Sequence, residues 1–353
     1  MSGVLAPGKR LPSLSEFVEE YHVSVGTVRQ ALSVLENEGL VERVHGSGTF
    51  VRPPALPDIE PSSNAEKRLG LVLTHHSDQL NMEILIGVER AAKSRGYQVI
   101  FTFAEEHIEQ QRRDIERLCK DGMDGLIIFP VGENAEEEGI VKLQHDGVPF
   151  VLVDRHFPEL ETNYVITDNF TGGYRATEHL LILGHKTVGF IYPANSSLRT
   201  TSVAERLRGY REALHDYGVP VDESLIYQRA AHSANSYDDY LADENIPGAI
   251  FVCTDVEALK VIKTIQQLGK RIPQDVALVG FDDLNFAAHL NPALTTIVQP
   301  RIEIGFQAVN VLMDIIEGRQ LVKPTRLVLP IHLIVRESCG ARMRVQKNIA
   351  KAQ

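Results

Sequence analysis

The sequence has no tryptophan, three cysteines in 353 residues and no long apolar run. Each shortage excludes something. Cys119, Cys253 and Cys339 lie far apart, with no C-x-x-C and no Cys/His cluster, so neither a disulfide framework nor a metal site is expected. No run approaches the roughly 18–20 apolar residues that a membrane helix needs. The stretch from Met1 to Pro12 lacks the apolar core of a secretory signal. The chain is therefore expected in the cytoplasm, without a membrane partner. The phosphate and nucleophile signatures of α/β enzymes are missing too: there is no G-x-G-x-x-G, no G-x-x-x-x-G-K-[ST] and no G-x-S-x-G. A net charge of −11 argues against general coating of nucleic acid.

What is present is the composition of a globular protein, 43% hydrophobic and 24% charged, long enough for two or three domains. Residues 1–52 hold two short helical patterns and a hairpin. Residues 53–68, rich in Pro, Ser and charge, read as a linker. From 69 to 340 short apolar runs alternate with amphipathic helices, and 341–353 form a basic tail. The runs are LGLVLT, YQVIFTF, GLIIFPV, PFVLVD, TVGFIY, GAIFVC, DVALVGF and TTIVQ. Apolar at nearly every position and bounded by Gly, Pro or polar groups, they read as strands buried on both faces of a parallel sheet. Helical patterns between them, such as Ile84, Val88, Ala91 and Ala92, predict a doubly wound α/β architecture. So many strands would make one sheet unusually wide, which favours two lobes. No simple internal repeat is visible.

The first 54 residues carry five basic groups (Lys9, Arg10, Arg29, Arg43, Arg52) and six acidic ones (Glu16, Glu19, Glu20, Glu36, Glu38, Glu42). A case for DNA binding must therefore rest on placement rather than bulk charge. Ser13 with Glu16 three residues later is a capping-box pattern, and Leu14, Phe17, Val18 and Tyr21 fall on one helical face. A turn through His22 and Val23 leads to Ser24, a good N-cap for a second helix with Val28, Ala31, Leu32 and Leu35 on its buried face. The opposite face offers Thr27, Arg29 and Gln30 where a recognition helix meets base edges. LVERV, the turn His45-Gly46-Ser47-Gly48 and TFVR then form a hairpin whose Gly-rich tip lets backbone N–H groups approach phosphates.

These stretches, PGKRLPS, VSVGTVRQAL and EGLVERVHGSGTFV, closely resemble the GntR family of winged-helix repressors over residues 7–51. The resemblance implies DNA contacts at Arg10, Ser13, Ser15, Thr27, Arg29, Gln30, His45, Gly46 and Ser47. Two departures stand out. The family usually has Glu-Arg where this chain has Leu14-Ser15, and Val-Ser-Arg where it has Val23-Ser24-Val25. A bidentate Arg–guanine contact gives about 1–3 kcal/mol of discrimination, so a different operator and modest affinity are expected. The family's first helix is represented only by its last turn, leaving apolar surface over Leu32, Leu35 and the wing uncovered. An upstream start and a degenerate DNA-binding domain both account for that.

Residues 69–340 resemble the effector domains of LacI-type repressors, which look like periplasmic sugar-binding proteins. The carriers are VLVDR (151–155), TDNFTGGYRATEHLLILGHKTVGFI (167–191), SVAERLRGYREAL (202–214), DVALVGFDD (275–283) and TTIVQP (295–300). A Pro-rich linker replaces that family's hinge helix, as in GntR–LacI hybrids of the AraR type. Arg206 matches the family's ligand arginine. Asp282 and Arg155 follow apolar strands at their cleft ends, and His75, Asn81, Phe129, Thr254 and Asp255 occupy further strand-end positions. Asp168 with Asn169 reads as an N-cap at the lobe crossover, and His179 and His185 as structural.

The chain is thus expected to be an α/β protein: a winged helix-turn-helix followed by a two-lobed, periplasmic-binding-protein-like domain. Its expected role is a homodimeric DNA-binding regulator, a repressor, that binds operator DNA and a small-molecule effector of carbohydrate type. It is not expected to be an enzyme or to carry a cofactor. The alternatives are a solute-binding sensor with a degenerate DNA head, and an enzyme using strand-end aspartates. Without Trp, sugar stacking would fall to Phe129, Phe157 or Tyr192.

Overall fold

The computed structural model describes residues 9–37, 40–44, 48–51, 67–131, 138–193, 198–228, 237–242, 246–319 and 323–341. The chain divides into two compact units, Met1–Ala65 and Glu66–Gln353. No helix among the described residues is long and apolar enough to cross a membrane.

The first unit opens with α1 (Leu14–Tyr21) and α2 (Val25–Asn37). The Ser13 N–H donates to Glu16 Oε2 at 2.6 Å and the Glu16 N–H to Ser13 Oγ at 3.3 Å, the reciprocal capping box expected from their spacing. Those bonds hold the Glu16 carboxyl below the usual range. His22, with φ of 52°, turns the chain, and the Thr27 N–H donates to Ser24 Oγ at 3.1 Å to start α2. Strands β1 (Val41–Val44) and β2 (Gly48–Val51) pair antiparallel, Val41 opposite Val51 and Val44 opposite Gly48. A small core of Leu11, Val28, Leu32 and Val41 holds these pieces together, with Leu14, Phe17 and Val18 against it. Two residues expected to be buried are not. Tyr21 is 61% exposed and Ala31 is exposed, both on an open apolar groove with Phe17, Val23 and Leu35. No described element covers that side of the two helices.

In the second unit, β3 (Arg68–Leu73), α3 (Gln79–Lys93), β4 (Gln98–Phe103), α4 (Ile108–Lys120), β5 (Gly125–Ile128), α5 (Glu138–His145), β6 (Phe150–Val153) and β7 (Tyr164–Thr167) build the first lobe. The chain crosses to the second lobe with α6 (Asn169–Ile182), β8 (Val188–Tyr192), α7 (Thr201–Asp216) and β9 (Ile226–Gln228). There follow α8 (Asp238–Ala242), β10 (Ala249–Val252), α9 (Asp255–Gln267), β11 (Ala277–Asp282) and β12 (Thr295–Val298). Helix α10 (Arg301–Ile316) and β13 (Arg326–Leu329) return to the first lobe, and β14 (His332–Ile334) ends in the second.

Each lobe is a six-stranded sheet, in the orders β13-β7-β6-β5-β3-β4 and β14-β12-β11-β10-β8-β9. The two orders correspond strand for strand, although no sequence repeat betrays it. All eight apolar runs are strands. Two expectations need correction. Strand β4 is an edge, with Ile100 and Phe101 exposed rather than buried on both faces. And β14 pairs antiparallel with β12 in an otherwise parallel sheet.

Close helix contact sets the geometry at the crossovers. A Cβ on Gly173 of α6 would lie 2.1 Å from the Arg206 carbonyl, and one on Gly209 of α7 equally close, 2.1 Å, to that of Phe170. The two backbones therefore touch through reciprocal glycines. Helices α3 and α10 in the first lobe meet the same way, through Gly87 and Gly305.

Candidate DNA-binding face and effector cleft

In the first unit, Thr27, Arg29 and Gln30 are exposed in the first half of α2. Thr27 is held by its hydroxyl, 2.8 Å from Ser24 Oγ. Ser13 is engaged in the α1 cap, its Oγ 3.2 Å from Ser15 Oγ. Arg10 forms a bridge with Phe50, and its side chain reaches toward the turn end of the hairpin, where a Cβ on Gly48 (φ 120°) would lie 2.7 Å from the Arg10 Nε. Glycine is favoured at 48 by its backbone, and a side chain there would also ask the Arg10 guanidinium to move aside. His45, Gly46 and Ser47 lie outside the described residues.

In the second unit a cleft of about 420 Å³ opens between the lobes, at the C-terminal ends of both sets of parallel strands. The first lobe contributes Thr74, Asp78, Glu106, Phe129, Asp154 and Arg155. The second contributes Ser202, Arg206, Thr254, Glu257, Lys260 and Asp282, with Gln299 at a crossover.

Arg206 is 4% exposed and held through two of its three nitrogens. Its Nε donates to Asn169 Oδ1 at 2.9 Å and one terminal nitrogen to the Cys253 carbonyl at 2.7 Å. The guanidinium lies 3.6 Å over the Phe281 ring and 3.9 Å from Asp282 Oδ1. Asp282 ends β11 at a φ of 119°, and Gln299 donates to its Oδ1 at 2.6 Å while accepting from the Thr167 hydroxyl at 2.7 Å. Burial raises the Asp282 carboxyl's pKa, opposed by the Arg206 charge. Arg155 lies 5.2 Å over the Phe129 ring, and its buried Nε has no hydrogen-bond partner; Asp154 Oδ2, at 3.7 Å, is too far. Thr254 caps α9, accepting from the Glu257 N–H at 3.2 Å. The Tyr237 hydroxyl and Lys260 Nζ hold Glu257 from either side.

Of the eight expected effector residues, the structure brings Phe129, Arg155, Arg206, Thr254 and Asp282 to the cleft. The other three lie elsewhere. Asn81 is wholly buried and fastens the β3–α3 loop, accepting from the Thr74 N–H at 3.0 Å and donating to Asp78 at 2.9 Å. Asp255 is wholly buried behind the cleft, accepting from the Leu284 N–H at 2.9 Å and the Thr296 hydroxyl at 2.7 Å. Its pKa is pushed up by burial and by the nearby Asp282 charge. His75 turns to Glu105, away from the cleft lining. Strand-end position puts five of the eight at the cleft, but the first residue of a helix points back under the strands as readily as into it. Sequence reasoning missed Asn169, Gln299 and Asp154; the first read only as part of a cap. Asp168 does cap α6, accepting from the Thr171 N–H at 2.9 Å.

Fold and cleft define an effector-controlled regulator: a winged helix-turn-helix followed by a two-lobed binding domain. Residues 1–51 match the model of bacterial regulatory proteins of the gntR family, and residues 177–339 that of the periplasmic binding protein-like domain. The arabinose metabolism transcriptional repressor of Geobacillus stearothermophilus is 29% identical over 349 residues, 96% of this chain and 93% of that protein. The HTH-type transcriptional regulator CelR of Thermobifida fusca is 31% identical over 289 residues, 76% of this chain and 80% of that one. A solved complex of CelR with cellobiose superposes with a TM-score of 0.67 at 26% identity, covering 93% of this chain and 100% of that chain. The chain belongs to the LacI-type DNA-binding transcriptional regulators, as a hybrid carrying a gntR-family head.

Proposed function

We propose that the chain is a cytoplasmic, homodimeric repressor that releases its operator when an uncharged sugar occupies the cleft. The observation that carries the reading is the Arg206–Asp282 pair, a donor fork beside an acceptor carboxylate, oriented by Asn169 and Gln299. Such a pair suits neighbouring hydroxyl groups, each able to accept and donate. The lining carries five carboxyl groups (Asp78, Glu106, Asp154, Glu257, Asp282) against three cations (Arg155, Arg206, Lys260), which disfavours a phosphorylated ligand. Phe129 supplies an apolar wall, and the cellobiose complex of a relative supports the same ligand class. Arabinose heads the panel because relatives are named for its metabolism.

On the DNA side, Arg29, Gln30 and Thr27 on α2 read the major groove, while Arg10, Ser13 and Ser15 and the wing residues His45, Gly46 and Ser47 position the backbone. Homodimerisation is supported by the β4 edge, whose exposed Ile100 and Phe101 need cover. The test is fluorescence anisotropy on DNA flanking the chain's own gene, with arabinose, cellobiose, other neutral sugars and sugar phosphates added in turn. Tight binding that depends on Arg29 and is released by a neutral sugar supports the reading. Release only by a phosphorylated sugar, or no binding at all, overturns it.

A further inference from the structure

Outside the effector cleft, two loops of the first lobe bring together two imidazoles and a carboxylate. His75 and His76 follow β3, and Glu105 follows β4. His76 Nδ1 lies 2.7 Å from Glu105 Oε1, and His75 Nε2 lies 3.4 Å from Oε2. The three donor atoms all fall within 4.8 Å of one another. The rings stack with centroids 5.0 Å apart, and Phe103 meets His76 edge-on at 6.3 Å. We propose that His75, His76 and Glu105 form a divalent transition-metal site that ties the β3–α3 loop to the β4–α4 loop.

The donor set suits the proposal. Two imidazoles and a carboxylate select zinc, nickel or copper over magnesium or calcium, and three protein ligands leave a position for water. Donors held at about 2.1 Å from a tetrahedral ion stand roughly 3.4 Å apart, and the two imidazoles already meet the carboxylate at 3.4 and 2.7 Å, each at its own oxygen, so a small rotation of Glu105 presents one oxygen to both. The backbone brings the ligands together before any ion arrives. Glu105 and Glu106 adopt left-handed φ values of 50° and 61°, which turns the Glu105 side chain back across β3. The Ala104 N–H donates to the Leu73 carbonyl at 2.8 Å and the Glu106 N–H to that of Thr74 at 3.1 Å, fixing the loops to each other.

The ring orientation of His75 is controlled as well. Its Nδ1 lies 3.0 Å from Ser77 Oγ and receives the Ser77 N–H at 3.2 Å. Ligation through Nε2 asks the ring to carry its proton on Nδ1; the Ser77 hydroxyl then accepts the hydrogen bond from it, and the Ser77 N–H gives up its bond to the same nitrogen. Ser77 is thus a positioning residue, of the kind whose loss costs about tenfold in metal affinity. Glu106, the neighbour of one ligand, lines the effector cleft, so an ion here would stiffen one rim of it.

The test is calorimetric titration of the untagged full chain with zinc chloride, paired with the visible spectrum of the cobalt-loaded protein. One saturable equivalent is expected, weakened at least about tenfold in His75→Ala, His76→Ala and Glu105→Gln, and about tenfold in Ser77→Ala. His215→Ala serves as the control, because Glu212, His215 and Asp216 form a second, wholly exposed cluster. Thermal melts confirm that each variant is folded, since all three ligands lie at the surface or half-buried. An equivalent that survives in both histidine variants, or one lost only in His215→Ala, overturns the proposal. So does the absence of saturable heat and of a cobalt spectrum, which would leave a simple His–Glu ion pair.

Discussion

Arg206 and Arg155 face one cleft with opposite degrees of engagement, and substitutions should separate them. Arg206 has acceptors on both sides and an aromatic face beneath it. Arg206→Lys keeps the charge but loses the planar fork, so effector affinity should fall at least about tenfold, ~1.4 kcal/mol, with a lower melting temperature as well. Arg155 Nε is buried and makes no hydrogen bond, with the Asp154 carboxylate 3.7 Å away. A donor held that way costs the folded state roughly 1–3 kcal/mol, which a ligand oxygen would recover. Arg155→Met should therefore lose effector affinity while melting at the same temperature or higher. Scanning fluorimetry with and without sugar reads both effects, and a large loss of stability in Arg155→Met would refute this account. Asp255 makes a prediction of its own. Burial and the Asp282 charge raise its pKa above the ordinary unfolded value of about 3.9. The folded state then prefers the protonated acid. The stabilisation is complete below about pH 4 and disappears as pH rises through the raised folded value. Asp255→Asn can still accept from the Leu284 N–H and donate to Thr296, so it should flatten the fall in urea stability between mildly acidic and mildly alkaline pH.

At the scale of elements, the α6–α7 contact converts two glycines into the position of an arginine. Gly209→Ala puts a methyl group against the Phe170 carbonyl. Separating the helices should cost about 1–3 kcal/mol and should move Arg206 off Asn169, so effector affinity falls along with the melting temperature. An effector affinity unchanged in a destabilised Gly209→Ala would break the link. Edge strand β4 carries a second prediction: Phe101→Glu should shift sedimentation from dimer to monomer without lowering the melting temperature of the lobe, because Phe101 is 48% exposed. These elements also mark what the sequence made legible. Seven of the eight apolar runs are readable because both faces of the buried strand need apolar residues, while β4 is an edge that kept an apolar pattern. Strands β7, β9, β13 and β14, at crossovers or sheet edges, are three or four residues long, close to several buried ones, but each begins or ends on a polar or charged residue, which leaves too little apolar pattern. Likewise Arg206 and Asp282 follow from their motifs. Asn169 and Gln299, which orient them, lie 37 and 17 residues from their partners in sequence, and only the folded crossovers bring them close.

For the whole molecule, control of DNA binding needs an effector that distinguishes two arrangements of the lobes, because equal affinity for both shifts nothing however tight the binding. Among the described residues, polar contacts join the lobes at several points, including the His156 backbone and the Thr201 hydroxyl. The Asn285 N–H donates to Gln79 Oε1 at 3.0 Å, and Arg301, at the start of α10, reaches Glu83 at 2.9 Å and the Asp283 carbonyl at 3.2 Å. Arg301 thus joins helix α3 of one lobe to the end of β11 in the other, where it also donates to the Asp282 carbonyl. A ligand that draws on Asp282 acts at this joint directly. Arg301→Met should accordingly leave operator affinity near its starting value without sugar, yet reduce the sugar's effect on it. The coupling lost is expected to be on the order of 1–3 kcal/mol. Arg206→Lys makes the complementary case, binding operator normally and releasing it only at higher sugar concentration because the sugar binds more weakly. Anisotropy titrations of operator at several sugar concentrations separate the two: Arg206→Lys shifts the sugar midpoint, whereas Arg301→Met lowers the plateau. Were both variants to shift only the midpoint, Arg301 would belong to the binding site and not to the joint between the lobes.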